Sequence, residues 1–180
     1  MARDGGEWER ALFDVLDDLE AQAESAFAAE REAELADRSR TEYAEVTLAA
    51  RLMAETGREL TLDVEGVGAL TGVVERVGAG WLLLATAASE WIVRHAAVAG
   101  VRGVGERAVP EVAWPVTARL RLGSAVRRLA DDQRRCLFHL RGGERLEGVP
   151  TRVGQDFVEV REPQRLSLVP FAALAAVQSA

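Results

Sequence analysis

Six arginines lie within seventeen residues in the second half of the chain, and only Asp131 and Asp132 oppose them, which leaves a local net charge of +4. Guanidinium groups neutralise phosphates and release their counterions, so this pattern indicates a surface for a polyanion. The alternative interpretation is a solvated helix face that pairs with the acidic start of the chain. The six residues are Arg119, Arg121, Arg127, Arg128, Arg134 and Arg135.

The residues needed for catalysis are scarce. The chain has two histidines and one cysteine, and it contains no nucleophile elbow, phosphate-binding loop or metal-ligand cluster. The glycines of 100–105 and 142–143 lack the lysine and the strand-to-helix context of a phosphate loop, so they predict turns. The sequence therefore predicts a protein that is not an enzyme and that needs no metal, cofactor or small-molecule substrate.

The charge of the chain is uneven. Of the net charge of -7 over 180 residues, positions 1–60 carry 16 acids and 7 arginines (net -9), and positions 61–180 carry 13 acids and 15 arginines (net +2). No signal peptide or membrane-spanning run is found, and the single Cys136 allows no disulfide within the chain. These features predict a cytoplasmic protein without a membrane partner.

The chain contains an internal repeat. Residues 49–101 align without a gap on residues 125–177, at a constant offset of 76. The segment 70–78 (LTGVVERVG) lies over 146–154 (LEGVPTRVG), and several later Val and Ala positions also recur. Each copy is therefore one supersecondary unit. Because each unit is small, we expect it to pack on the other copy or on another chain.

Hydrophobic spacing of three and four residues predicts two helices before the first set of strands. The first is a long acidic amphipathic helix from Glu7 to about Leu35, which would pack on the rest of the chain, self-associate as a coiled coil or dock a partner protein. The second spans Tyr43 to Met53 and ends at Gly57.

Alternating apolar residues between glycines then predict five short strands in each copy, at 60–64, 70–77, 81–84, 91–93 and 98–101, and at 137–140, 146–153, 157–160, 166–169 and 174–177. A helix at 124–130 opens the second copy. The predicted organisation is an N-terminal helix at 1–38, a first domain at 39–104, a linker at 105–117 and a second domain at 118–180.

A helix followed by five strands, with Leu-x-Gly-Val opening the second strand, resembles the Sm-like fold and in particular bacterial Hfq, a hexameric RNA chaperone. The second copy carries the pattern in Leu146-Glu-Gly148, Val153 and Phe157. The resemblance implies an α+β, mainly β protein with two tandem Sm-like (SH3-like) barrels. It also implies a homo-oligomer, in which three chains would form a ring of six copies. The chain further resembles an actinobacterial group sometimes described as transcriptional regulators, although it has no helix-turn-helix.

The resemblance also implies site residues. Arg94-His95-Ala96 is similar to the Lys-His-Ala run of Hfq, and Phe157 aligns with its base-stacking Phe. Core packing is the alternative for Phe157, and a local hydrogen bond is the alternative for His95. Gly78 and Gly154 stand where Sm proteins have an Asp for uridine recognition, and the second copy has Pro170-Phe171 in place of Arg94-His95.

Two functional hypotheses follow. In the first, the chain binds single-stranded RNA through a set of basic and aromatic side chains. In the second, it is a protein-interaction scaffold or regulator whose N-terminal helix recruits a partner, which the overall acidity favours. The proposed RNA contacts are Arg94, His95, Arg127, Arg128, Arg134, Arg135 and Phe157.

Overall fold

The computed structural model describes residues 43–179 and a few positions before them. The chain divides into two compact units, Met1–Glu45 and Val46–Ala180. The second unit contains both copies of the repeat. The earlier positions described are Gln22, Glu24, Ser25, Phe27, Ala28, Glu30, Arg31, Glu32, Glu34, Arg38 and Arg40.

The predicted long N-terminal helix falls largely outside the described residues, which include nothing from 1–21. The described residues between Gln22 and Ala44 are helical, but all the described side chains up to Glu45 are exposed, including Phe27 and Tyr43. An amphipathic helix gains most of its stability by burying its apolar face, and none of these described side chains is buried. The prediction of a long helix that buries its apolar face, on the rest of the chain or in a coiled coil, is therefore wrong for the described residues.

The described part of the second unit has two short α-helices, α1 at Leu48–Ala54 and α2 at Leu122–Asp131. The Oγ1 of Thr47 caps α1 by accepting the Ala50 N–H at 3.1 Å. The helix predicted at 43–53 therefore begins later than expected. Gly57, with φ of +83°, follows its end in the left-handed conformation that the sequence predicted.

Ten strands follow in two sets of five, and each lies within about two residues of its predicted position. Alternation of apolar and polar residues explains why these segments form strands. In the first strand, for example, Leu60, Leu62 and Val64 all point to the core. The strands are β1 Glu59–Val64, β2 Gly68–Gly78, β3 Trp81–Ala85, β4 Glu90–Arg94, β5 Val98–Arg102, β6 Cys136–Leu140, β7 Arg145–Val153, β8 Phe157–Arg161, β9 Leu166–Pro170 and β10 Leu174–Ser179.

The strands form one antiparallel sheet in the order β5-β1-β2-β3-β4-β10-β6-β7-β8-β9. The prediction of two tandem barrels, each a helix plus five strands, is therefore wrong. The physical reason is the junction between the copies, where β4 pairs with β10 from Val93↔Ala176 to Glu90↔Ser179. Backbone groups that could have closed each copy separately are hydrogen-bonded across the junction instead, so the two copies share a sheet.

The core follows the same pattern, because each of its two clusters contains residues from both copies. Ala175 and Ala176 of the second copy pack among Leu52, Leu62 and Leu82 of the first. Trp81 and Ile92 of the first copy pack with Val126, Phe138 and Val158 of the second. The copies thus bury apolar surface that neither would bury alone.

The two β-hairpin turns that open the copies also meet. Arg141 donates to Glu65 through Nε, at an N···O distance of 2.6 Å, and these two residues are repeat counterparts, since 65 plus 76 is 141. The hydrogen bond from Arg141, supported by its charge, lowers the pKa of the Glu65 carboxyl. Gly66 lies beside this pair, and a Cβ at this position would be 2.2 Å from Leu140 O of the second copy.

The segment between the copies is attached to α1. The Val109 N–H donates to Ala50 O at 3.0 Å, and the Gly105 N–H donates to the buried Glu55 carboxylate at 2.7 Å. The Trp114 indole N–H donates back to Val109 O at 2.8 Å. Two short 3-10 helices, Glu111–Ala113 and Val116–Arg119, then lead into α2. The predicted domain boundaries on either side of this segment stay predictions.

Candidate nucleic-acid interface

A surface cavity of about 720 Å³ lies where the β2–β3 turn and the end of β4 meet the start of α2. We call this cavity the basic pocket, because four arginines and no acidic residue line it. Both copies of the repeat contribute to it. The lining residues are Ala79, Gly80, Arg94, Arg119, Leu120, Arg121, Leu122, Gly123, Ser124, Arg127, Gln155 and Phe171.

The first copy fixes the segment that carries Arg119 and Arg121. The carbonyl of Leu120, between them, accepts the Ala79 N–H at 3.1 Å and the Trp81 indole N–H at 2.8 Å. Ala79 and Arg121 also form a parallel β-bridge. Two donors hold the carbonyl of Leu120, so the backbone that carries the exposed side chains of Arg119 and Arg121 is fixed in position.

Helix α2 supplies the third guanidinium group. Its buried face consists of Leu122, Val126 and Leu129, so the adjacent Arg127 is on the exposed side and reaches the basic pocket. No side chain caps the first turn of α2. The partial positive charge of that helix end therefore adds to the positive potential of the arginines.

Arg94 lies on the opposite wall, at the end of β4, and its side chain is partly buried. Its Nη1 donates to the carbonyls of Phe171, Ala172 and Leu174. Burial, with a smaller contribution from the charge of Arg141, lowers its pKa. These contacts hold the guanidinium group in place, so Arg94 positions the second copy against the first and adds charge to the basic pocket.

The remaining arginines of the sequence cluster lie elsewhere. Arg128 and Arg134 line a second cavity of about 360 Å³, whose lining also includes Glu90 and Asp132. Arg134 forms an ion pair with Glu90 at 3.0 Å. This second cavity therefore has a mixed charge.

Arg135, the next residue along the chain, is exposed and makes an ion pair with Glu147 at 2.7 Å. It is absent from the described linings of both cavities. The six arginines that are close in sequence are thus divided among three surroundings, and only Arg119, Arg121 and Arg127 meet in the basic pocket.

Phe157, which the resemblance proposes for base stacking, and its repeat counterpart Trp81 each pack against a glycine of their own hairpin. A Cβ on Gly78 would lie 2.4 Å from the ring of Trp81, and a Cβ on Gly154 would lie 2.4 Å from the ring of Phe157. Trp81 is buried, whereas Phe157 is half-buried and does not line the basic pocket. The ring-on-glycine contact gives both residues a packing role in the structure.

His95 begins the 3-10 helix His95–Ala97, and its Nε2 is buried without a hydrogen-bond partner among the described residues. Burial lowers the pKa of His95 to about 4, and a hydrogen bond to the backbone of Trp81 opposes this less strongly. The imidazole is therefore neutral at pH 7, where it carries no charge for a phosphate.

The buried His95 predicts a loss of stability in mild acid. In the unfolded chain the imidazole takes up a proton near pH 6.5, whereas in the folded chain it does so only near pH 4. Stability therefore falls as the pH drops through this window, by about 2 kcal/mol between pH 7 and pH 5. Urea unfolding at these two pH values measures the change.

The matched control for this prediction is His95→Phe, because the second copy has Phe171 at the same place in the repeat. The variant should lose the His95 part of the pH dependence and keep the part that comes from His139, whose pKa burial also lowers. An equal loss of stability in both proteins between pH 7 and pH 5 would exclude His95 as the cause.

Two residues of the basic pocket, Gln155 and Phe171, were missed by sequence reasoning. At the offset of 76, Gln155 stands for Ala79 and Phe171 for His95. Most of the 53 aligned positions differ between the copies, so these two differences gave no signal that singled out the pocket.

The structure offers little for covalent or metal chemistry. Burial raises the pKa of the Cys136 thiol to about 11, so it stays protonated at neutral pH. Within the described part of the chain, no three side chains of His, Cys, Asp or Glu come together in a way that could hold a metal ion.

The chain has no match among protein-family models, and no curated protein matches it. The resemblance to Sm-like RNA-binding proteins and to the actinobacterial group therefore stays a prediction. A separate finding concerns membranes: none of the helices in the described residues has both the length and the apolar character needed to cross one.

Proposed function

We propose that this protein binds single-stranded RNA at the basic pocket, as a non-enzymatic cytoplasmic protein. The observation that carries the proposal is the grouping of four guanidinium groups around one open cavity whose lining includes no carboxylate. Such a grouping neutralises backbone phosphates and gains affinity from the release of counterions.

The size and the other lining residues of the pocket suit a nucleotide. Its volume of about 720 Å³ falls within the range of about 300–1,000 Å³ that is usual for small-molecule sites. The Phe171 ring offers a stacking surface, and the Gln155 amide can donate to and accept from a base edge. Single-stranded RNA is recognised by this combination of stacking and edge contacts, because its bases are free to leave a stack.

Among the described residues, no ion pair neutralises the charge of the pocket. In the described residues, Arg119, Arg121 and Arg127 have no ion pair, whereas Arg134 and Arg135 are each paired with a glutamate. An unpaired guanidinium group keeps its hydrogen-bond donors available to a phosphate. Ion pairing therefore sets Arg134 and Arg135 apart, and Arg128 is set apart because it lines the second cavity, so three of the six clustered arginines remain as proposed contacts.

The test compares two neighbouring arginines on the same helix. Arg127→Ala should weaken binding of a short single-stranded RNA several-fold and reduce the slope of log affinity against log salt by about 0.7, the value for one phosphate contact. Arg128→Ala removes the same charge from the adjacent position, which lines the second cavity, and should leave the slope unchanged. Fluorescence anisotropy of the full chain with uridine-rich, adenine-rich and mixed RNAs at two salt concentrations measures both.

The two remaining arginines of the segment give a larger expected change. Arg119→Ala combined with Arg121→Ala should reduce the salt slope by about 1.4, because two phosphates would each be left without a guanidinium partner. Equal losses of affinity in the Arg127 and Arg128 variants would mean that general charge, and not the pocket, attracts RNA. The absence of binding by the unmodified chain at low salt would contradict the proposal and favour the protein-interaction scaffold.

A further inference from the structure

The second cavity, of about 360 Å³, lies between the sheet of the first copy and helix α2 of the second. On the sheet side, Arg76 of β2, Leu83 of β3 and Ile92 of β4 are opposed in register, so their side chains share one face. On the helix side, residues three, four and seven positions apart form one stripe. The helix residues that line the cavity are Ala125, Arg128, Leu129 and Asp132.

The floor of the second cavity is apolar, whereas its mouth is charged. Trp81, Ile92 and Leu129 line the cavity and are at most 7% exposed. Arg128 and Asp132 also line it, and both are exposed. A ligand for this cavity therefore needs an apolar body and a charged end.

The charges around the second cavity are only partly paired. Of its five charged side chains, Arg134 and Glu90 form an ion pair at 3.0 Å. Within the described residues, none of Arg76, Arg128 and Asp132 takes part in an ion pair. The cavity thus offers guanidinium donors to an anionic group and, separately, a carboxylate acceptor to a cationic group.

The end of α2 fixes the spacing of these two kinds of charge. The Asp132 N–H donates to Arg128 O at 3.0 Å, so the two residues are one helical turn apart. Their Cβ atoms are therefore about 5–6 Å from each other. The chain then reverses at Gln133, whose φ is +51°, and the Arg134 N–H donates to Leu129 O at 3.0 Å, which closes the helix end. A ligand that reaches both Arg128 and Asp132 must carry its two charges close together.

Other classes of ligand fit this cavity less well. A nucleotide phosphate would meet the carboxylates of Asp132 and Glu90, in contrast to the basic pocket, whose lining has none. A neutral apolar molecule would displace water from the unpaired charges without pairing them, which costs free energy.

We propose that the second cavity binds a free α-amino acid with a large apolar side chain. Its carboxylate accepts from Arg128 and Arg76, its ammonium group donates to Asp132, and its side chain packs on the apolar floor. An α-amino acid carries both charges on one carbon, which suits side chains one helical turn apart. The cavity volume is near the lower end of the usual range of about 300–1,000 Å³, which suits a single small molecule. This inference is independent of the RNA proposal.

Isothermal titration calorimetry of the full chain tests the proposal with probes that differ by one group. L-leucine should bind. N-acetyl-L-leucine lacks the ammonium group and L-leucinamide lacks the carboxylate, so each should bind about tenfold or more weakly, the usual effect of losing a hydrogen bond to a charged group. L-alanine should bind roughly fiftyfold more weakly, because it lacks three carbons that each add about a fourfold gain when buried.

Two neighbouring aspartates give a matched pair of variants. Asp132→Asn should weaken L-leucine binding by about tenfold. It should leave N-acetyl-L-leucine binding nearly unchanged, because that probe has no ammonium group to donate to Asp132. Asp131→Asn removes the same charge from the adjacent exposed residue, which is outside the described lining of the cavity, so both affinities should stay the same.

A further variant blocks the cavity without changing its charge. Ala125 is half-buried and lines the cavity from α2, so Ala125→Leu places a larger apolar side chain in the space of the ligand. This variant should lose L-leucine binding and keep its circular dichroism spectrum.

Three results would overturn the proposal. One is the absence of both heat and any rise in unfolding temperature with L-leucine at millimolar concentration. Another is equal binding of L-leucine and N-acetyl-L-leucine, which would leave a site for a carboxylate alone. The third is an equal loss of affinity in the Asp131 and Asp132 variants, which would assign the effect to general charge.

Discussion

Replacement of Trp81 by alanine is expected to lower the free energy of unfolding by about 3–5 kcal/mol, the usual cost of removing a buried large aromatic side chain. The ring of Trp81 is 4% exposed and packs in the core cluster of the second copy, although the residue belongs to the first. Its indole N–H also donates to Leu120 O. The substitution would therefore leave a cavity and remove one donor from the carbonyl that lies between Arg119 and Arg121.

The matched control is Phe157→Ala at the equivalent position of the second copy. Phe157 also covers a glycine, but it is only half-buried, so its loss should cost less than that of Trp81. Urea unfolding of the full chain measures both values. Equal costs would show that the junction between the copies adds nothing to the burial of Trp81.

A milder variant links this residue to RNA binding. Trp81→Phe keeps a ring over Gly78 and removes the indole N–H, so the segment of Arg119 and Arg121 loses one of the two donors to Leu120 O. We expect the loss of binding free energy for RNA to be larger than the loss in the free energy of unfolding. An unchanged affinity would mean that the Ala79 N–H alone positions the segment.

Gly66→Ala is expected to be at least as damaging as many core substitutions, at about 3 kcal/mol or more. A Cβ at this position would lie 2.2 Å from Leu140 O, and also 3.0 Å from both Arg141 O and Gly143 N. These atoms belong to the backbone of the second copy, so they cannot move aside as a flexible side chain would. The φ of +71° adds the strain of a left-handed conformation.

Gly57→Ala separates the two effects. Gly57 has a φ of +83°, but a Cβ there would meet nothing within 4 Å. Its replacement should cost about 1 kcal/mol, from backbone conformation alone. The difference between the two variants in urea unfolding then measures the close approach of the two hairpin turns. Similar costs would contradict the close packing of the copies at Gly66.

The local pattern of the sequence predicted the ten strands because their spacing depends on local chemistry. Alternating apolar residues such as Leu60, Leu62 and Val64, between glycines that turn the chain, specify a strand wherever its partner lies. The predicted N-terminal helix had a similarly clear pattern. Its apolar stripe needs a surface to cover it, which a local pattern does not supply.

The positions of the arginines in the sequence did not predict which of them share a site. Arg127 and Arg128 are neighbours in sequence with the same charge, and they line different cavities because consecutive helical residues point about 100° apart. Arg134 and Arg135 find glutamates that are 44 and 12 residues away in sequence. Proximity in sequence therefore predicted more arginines at one site than the three that line the pocket. It also left out Arg94, which is far away in sequence and lines the opposite wall of the pocket.

The sequence by itself determined the repeat, the positions of the strands and the positions at which the copies diverged. Those properties follow from residue types and from short-range periodicity. Only the tertiary structure decided that β4 pairs with β10, that the two copies form one sheet, and that Arg94, Arg119, Arg121 and Arg127 surround one cavity. The reason is that backbone edges carry the same hydrogen-bonding groups whatever their side chains, so the choice of partner depends on which apolar surfaces the whole chain can bury together.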